Sequence, residues 1–333
     1  MKKGITRQPL GITIVLFSIL LLFFHMRHLV SPAPEEAAVP NPAPFGKAVS
    51  SWFAGLPYLE MAAGIIIVLL TAIVITRLVS RNLVFPARTY VFLIFFAIAG
   101  YGIFIRSGNL PAVFAAYLIA KASENFASAF KRSARMTDSF KGALLLGLAP
   151  LFHAPAAVYM LLLPVAMPVY MRGWRETIVG FSGLVLPMLA YSYVMWPLGE
   201  PFGGYFNGLY ESLASPGAGL PFIDIGSAAG IARILLILLL AAGVVMSLGT
   251  YILNAQMIRT RAFRIYLYMI FFMFAGIGGM FLPCASVGDL ALLALPVSVV
   301  AAEYFSRYTG LASNLIYIST ISTAVVYNVL LMI

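Results

Sequence analysis

The chain has 333 residues, 62% of them hydrophobic and only 10% charged, with a mean hydropathy of +0.98. An average soluble domain is about 45–50% apolar and about 25% charged, so this composition excludes a soluble fold, and a single polytopic membrane domain over 1–333 with no soluble domain is expected. The formal charge of +10 falls in short clusters between apolar runs, which is how charge orients a membrane protein; nucleic-acid binding, which needs a basic stripe on an exposed face, is excluded.

In chain order, a basic start (Lys2, Lys3, Arg7) leads into the apolar run Leu10–Phe24, a pattern shared by signal peptides and first membrane spans. The run continues to Val30 with no small-x-small cleavage site against it, so an uncleaved first span is expected. The positive-inside rule then puts the N-terminus in the cytoplasm and segment 31–56 outside. That segment is rich in Pro and Ala, carries Glu35 and Glu36, and ends around Trp52 in an expected interfacial helix with an aromatic anchor.

Further spans are expected at Tyr58–Val79, Thr89–Ile105 and Pro111–Phe130, with basic loops returning to the cytoplasm. The apolar stretch 142–171 is long for one helix. Pro155 lacks an amide proton and disfavours helix in the residue before it, so the stretch divides at His153 into two short helices, Gly142–Phe152 and Ala156–Met171, spanning or re-entrant. A single span would also throw Arg172 and Arg175 outside. Helices this short at membrane depth need protein or water around them.

The remaining spans are Thr177–Leu198, Ser227–Leu253, Ile265–Leu282, Leu290–Phe305 and Leu311–Ile333, with 199–226 as an external loop. The expectation is an all-α integral membrane protein of about eleven transmembrane or re-entrant helices. All but five of the 21 Lys and Arg residues then face the cytoplasm, the exceptions being Arg27, Lys47, Arg106, Lys121 and Arg233.

Three segments, Asn82-Leu-Val-Phe-Pro-Ala-Arg88-Thr-Tyr90, Phe140-Lys-Gly through His153-Ala-Pro155, and Met171-Arg-Gly-Trp174-Arg175-Glu176, resemble in order and pattern a family of multi-pass inner-membrane proteins of Bacteroidota, a domain of unknown function. The resemblance implies a bacterial inner membrane and brings no site residues. A looser resemblance, carried by the acidic first external loop, the interfacial helix and the short central pair, is to polytopic glycosyltransferases that use polyprenyl-phosphate sugars. Those enzymes usually carry Asp in that loop, where this chain has Glu35 and Glu36.

An ionisable residue inside a span is a functional candidate, because the bilayer centre penalises Arg, Lys or Asp by at least about 2.5–3.5 kcal/mol. Lys121 and Glu124, one turn apart, read as an intramembrane ion pair or as a substrate or proton path; Glu303 is expected to pair with Arg307. Arg106 and Arg233 are candidates for a lipid phosphate, which guanidinium grips in bidentate fashion, or for snorkelling to headgroups. His153, Glu35 and Glu36 are candidate acid–base groups, each with a bland alternative as a cap or a solvated loop residue. His25 and His28 make a poor metal site and read as interfacial anchors.

The single Cys284 excludes a multi-cysteine metal centre, so no resident cofactor or metal is expected, with a divalent cation at the acidic loop left open. Gly276, Gly278 and Gly279 read as a close-packing or flexible helix site, and Ser319, Thr320, Ser322, Thr323 and Asn328 as interhelical hydrogen-bonding groups rather than a pore lining.

Three functions remain open: an envelope glycosyl- or glycolipid transferase at the outer face using a polyprenyl-phosphate-linked lipid, a transporter or flippase, and a non-catalytic membrane scaffold or assembly partner. All have the lipid bilayer as partner; protein partners are not identified by the sequence.

Overall fold

In the computed structural model, residues 9–30, 43–53, 55–85, 89–103, 110–128, 136–215, 226–286 and 288–332 are described. They form α-helices α1 (Leu10–Val30), α2 (Pro44–Phe53), α3 (Pro57–Arg81), α4 (Val91–Ala97), α5 (Leu110–Ser128), α6 (Met136–Phe152), α7 (Leu162–Val169), α8 (Trp174–Met195), α9 (Gly204–Ala214), α10 (Ala228–Leu253), α11 (Thr260–Gly279), α12 (Asp289–Arg307) and α13 (Leu311–Leu330). There is no strand among the described residues.

Six helical segments are long and apolar enough to cross a membrane: Tyr58–Arg81, Trp174–Leu198, Ala228–Leu253, Thr260–Gly279, Asp289–Arg307 and Leu311–Leu330. Leu10–Met26, Val91–Gly102 and Ala154–Val169 are apolar but shorter. The chain is a multi-pass α-helical membrane protein. Length and apolarity alone account for six of the roughly eleven crossings expected from the charge pattern.

Contacts gather the helix ends into two groups. At one end the last turn of α3 meets α5 (Arg81 to Glu124), α5 meets the start of α11 (Ser123 to Tyr268), α11 meets the end of α7 (Tyr268 to Tyr170), and α10 and α11 join at Tyr251 and Phe263. Arg77, Arg81, Arg172, Arg175, Arg259, Arg261, Arg264 and Arg307 belong to this arginine end. At the other end α2 packs on Phe152 and Tyr191, α9 packs on α8 through Tyr205 and Tyr191, and the ends of α4 and α13 join at Gly102 and Asn328. Glu200, Glu211, His153 and Asp289 belong here. α12 is the most enclosed of the six long helices, running between both ends against α4, α10 and α11.

The break at His153 falls where Pro155 predicts it, between α6 and a 3-10 helix, Ala154–Leu161, that continues as α7. His153 itself is extended, with φ −143° and ψ 109°. The eight 3-10 residues rise about 2 Å each and the eight α residues about 1.5 Å each, so sixteen residues reach about 28 Å, close to the hydrocarbon thickness. The poorer 3-10 geometry is sheltered, with Ala154, Pro155, Ala156 and Tyr159 buried in protein. α6 starts at Met136, ahead of the expected Gly142, and the expected external loop 199–226 contains the helix α9.

α6 and α8 form the most extensive helix pair in the chain. Small residues permit it: a Cβ on Gly147 would collide with the Leu184 carbonyl, and one on Gly183 would come within 2.8 Å of the Phe140 carbonyl. Gly276 is a close-packing position as expected, since a Cβ there would stand 2.7 Å from Leu293 and 2.8 Å from the Tyr159 hydroxyl. Of the polar residues of α13, Asn328 bonds across helices, to the Gly102 carbonyl at 2.8 Å, whereas Ser319 and Thr320 bond back to Ile316 in their own helix. His25, expected as an interfacial anchor, has its side chain buried: it stacks on Tyr101 at 6.0 Å and bonds to the Leu21 carbonyl.

Two helices end alike at the arginine end. After α3 the Val84 N–H donates to Val79 O and the Leu83 N–H to Ser80 O; after α7 the Arg172 N–H donates to Met167 O and the Met171 N–H to Pro168 O. Both are Schellman motifs, whose left-handed position usually holds glycine. Here it holds Leu83 (φ 51°) and Met171 (φ 52°), a conformation that a side chain disfavours by roughly 1–2 kcal/mol.

Candidate functional site

His153 sits where α6 stops, and its side chain reaches the first residue of α12. His153 Nε2 lies 2.7 Å from Asp289 Oδ1, the two side chains being 8% and 7% exposed. A carboxylate only accepts, so Nε2 carries the proton in this contact. Asp289 Oδ2 accepts from the Ser286 N–H at 2.7 Å and from its hydroxyl at 3.3 Å, which ties the turn before α12 to the first residue of that helix. The position also suits a carboxylate electrostatically, because a helix N-terminus favours negative charge. Burial, helped by the nearby Asp289 carboxylate, pushes the Cys284 thiol above its usual range.

Aromatic packing roofs this end. Phe45 of α2 contacts Phe152 and Tyr191 edge-on, Phe114 stacks on Phe152 at 4.5 Å, and Tyr191 meets Tyr205 of α9. Gly46 lies directly on the Phe152 carbonyl, where no Cβ would fit. The amphipathic helix expected around Trp52 is thus α2, with Trp52 exposed and Gly46 buried against the residue that precedes His153.

The other expected residues distribute as follows. Glu35, Glu36 and Arg106 lie outside the described residues. Arg233 is in the second turn of α10 and is buried; the phosphate grip it was expected to share with Arg106 falls in part outside the described residues. Lys121 and Glu124 do pair, at 2.5 Å, and Arg81 adds a longer contact to the same carboxylate at 3.8 Å. Glu303 pairs with Arg307 at 2.6 Å. Among the described residues no three His, Cys, Asp or Glu gather as a metal site.

Two partnerships went unread in the sequence. Asp289 is 136 positions from His153, and its local signal was the Ser286-x-x-Asp289 spacing that precedes an apolar helix. Arg172 donates to Glu176 at 2.8 Å, with side chains 6% and 9% exposed; its signal was the i,i+4 spacing at a helix start.

Fold and site together define a multi-pass membrane protein with a buried His–Asp pair at one end of its bundle and buried Arg–Glu pairs at the other. Compared with family models, curated proteins and solved structures, the chain matches none.

Proposed function

We propose that the chain is a bacterial inner-membrane protein with about eleven transmembrane or re-entrant helices, its N-terminus in the cytoplasm and the His153 end outside, and that it transfers a glycosyl group from a polyprenyl-phosphate-linked lipid at the outer face. The observation that carries this reading is the 2.7 Å contact between His153 and Asp289 in a buried setting beneath α2. An acceptor hydroxyl would lose its proton to His153 as its oxygen bonds to the anomeric carbon and the bond to the lipid phosphate breaks. Asp289, held against the ring at Nε2, stabilises the imidazolium that results.

The chain order supports the placement as well. Glu35 and Glu36 come before α2 in the chain, and α2 packs through Phe45 on Phe152, the residue that precedes His153. The test is transfer from a polyprenyl-phosphate sugar by the purified full chain. His153→Gln and Asp289→Asn should each lower the rate by about a hundredfold or more, the usual contribution of a general base, at unchanged protein level. Unchanged envelope glycans in both variants would overturn the reading. A scaffold role is the alternative, favoured by the near-complete burial of His153; it predicts a partner complex that persists in both variants.

A further inference from the structure

The turn between α7 and α8 holds a conformation that the fold alone does not call for. Met171 stands in the left-handed position of a Schellman motif where glycine would be unstrained, and its side chain is 73% exposed. Backbone strain at an exposed apolar residue is a reason to look for what that side chain meets. Leu83, at the equivalent position after α3, is likewise exposed, so the same end of the bundle keeps two apolar side chains outward at the expense of easier turns.

Cationic groups surround Met171. Arg264, from the first turns of α11, places Nη2 against the Met171 thioether. Arg175 lies 5.6 Å above the ring of Trp174, which is itself exposed. The nearby carboxylate, Glu176, is engaged by Arg172 Nη1, and the buried Arg172 Nη2 has no hydrogen-bond partner among the described residues. The local field is therefore positive, beside an exposed tryptophan and methionine. Trp at the headgroup level and Arg reaching for phosphate are the two halves of an interfacial site.

We propose that this turn and the start of α11 bind the headgroup of an anionic phospholipid, with Arg264 and Arg175 on its phosphate and Met171 and Trp174 among the upper acyl carbons. Basic pockets between membrane helices recognise lipid headgroups by this chemistry, and guanidinium supplies the paired donors a phosphodiester needs. The inference stands apart from the transferase reading, since it concerns the opposite end of the bundle.

The full chain, delipidated in detergent, is placed in nanodiscs of phosphatidylcholine with or without phosphatidylglycerol, and retained lipid is counted by native mass spectrometry. Selective retention of phosphatidylglycerol is expected, weakened about tenfold or more in Arg175→Gln/Arg264→Gln, equivalent to losing a charge-assisted hydrogen bond. Met171→Gly should melt higher than the parent in detergent and yet retain less phosphatidylglycerol, a pair of opposite signs that misfolding does not produce. Equal retention of both lipids, or undiminished retention in the double variant at an unchanged melting temperature, would overturn the proposal. So would inorganic phosphate that binds the delipidated chain and displaces the lipid, which would assign the arginines to a soluble phosphate group.

Discussion

At the His153 end the buried carboxylate of Asp289 is met by an imidazole and by the Ser286 N–H and hydroxyl; at the arginine end the buried carboxylate of Glu176 is met by the guanidinium of Arg172. Both pairs are similarly enclosed, with exposures of 8% and 7% for His153 and Asp289 and 6% and 9% for Arg172 and Glu176. Equal burial therefore does not mean equal consequence. The His–Asp pair ties together two helices far apart in the chain, whereas the Arg–Glu pair closes a single turn at the start of α8.

Substitution can break that comparison. Glu176→Gln should be the most damaging, by about 3–5 kcal/mol, because it leaves a buried guanidinium without its counter-charge; thermal unfolding in detergent against the parent measures it. Asp289→Asn should lose about 1–3 kcal/mol, the cost of a disturbed buried hydrogen bond. If the two losses were equal, the distinction between a guanidinium and an imidazole partner would fail.

Two smaller effects sharpen it. Leu83→Gly should gain about 1 kcal/mol in detergent by relieving the left-handed strain, the gain shrinking in nanodiscs if Leu83 contacts lipid; paired melting curves in the two media test this. Lys121→Gln, at a partner whose side chain is 33% exposed, should change stability by less than about 1 kcal/mol, as the same unfolding measurement would report.

Cys284 offers a pH probe of the His153 end. Its thiol pKa is raised, so less thiolate is present at a given pH and maleimide labelling should be slower than for an ordinary thiol. The rate should keep climbing at pH values where an ordinary thiol has levelled off. In Asp289→Asn one of the raising influences is gone, so the rise should shift to lower pH; a shift to higher pH would contradict the assigned cause. With a single cysteine in the chain, the reading is site-specific.

Much of the helical plan was legible because its signals are local. Pro155 disfavours helix in the residue before it, and the break at His153 appears as expected. The Lys121–Glu124 and Glu303–Arg307 pairs were legible for the same reason, being one helical turn apart. The site was less so. His153 could be singled out, but its partner lies on a helix far along the chain, and no periodicity connects α6 to α12. Composition likewise reveals that apolar helices exist, yet the seam of Gly147 and Gly183 against carbonyls of the facing helix depends on a register that only packing decides.

The 3-10 stretch Ala154–Leu161 stores length in its winding. Rewound as α-helix, its eight residues would shorten by about 4 Å. One end of the segment is tethered through His153 to α12, and the other through the Met171–Arg264 contact to α11. The segment is therefore under a gauge set by its neighbours: its winding cannot tighten without drawing on α12 at one end or α11 at the other.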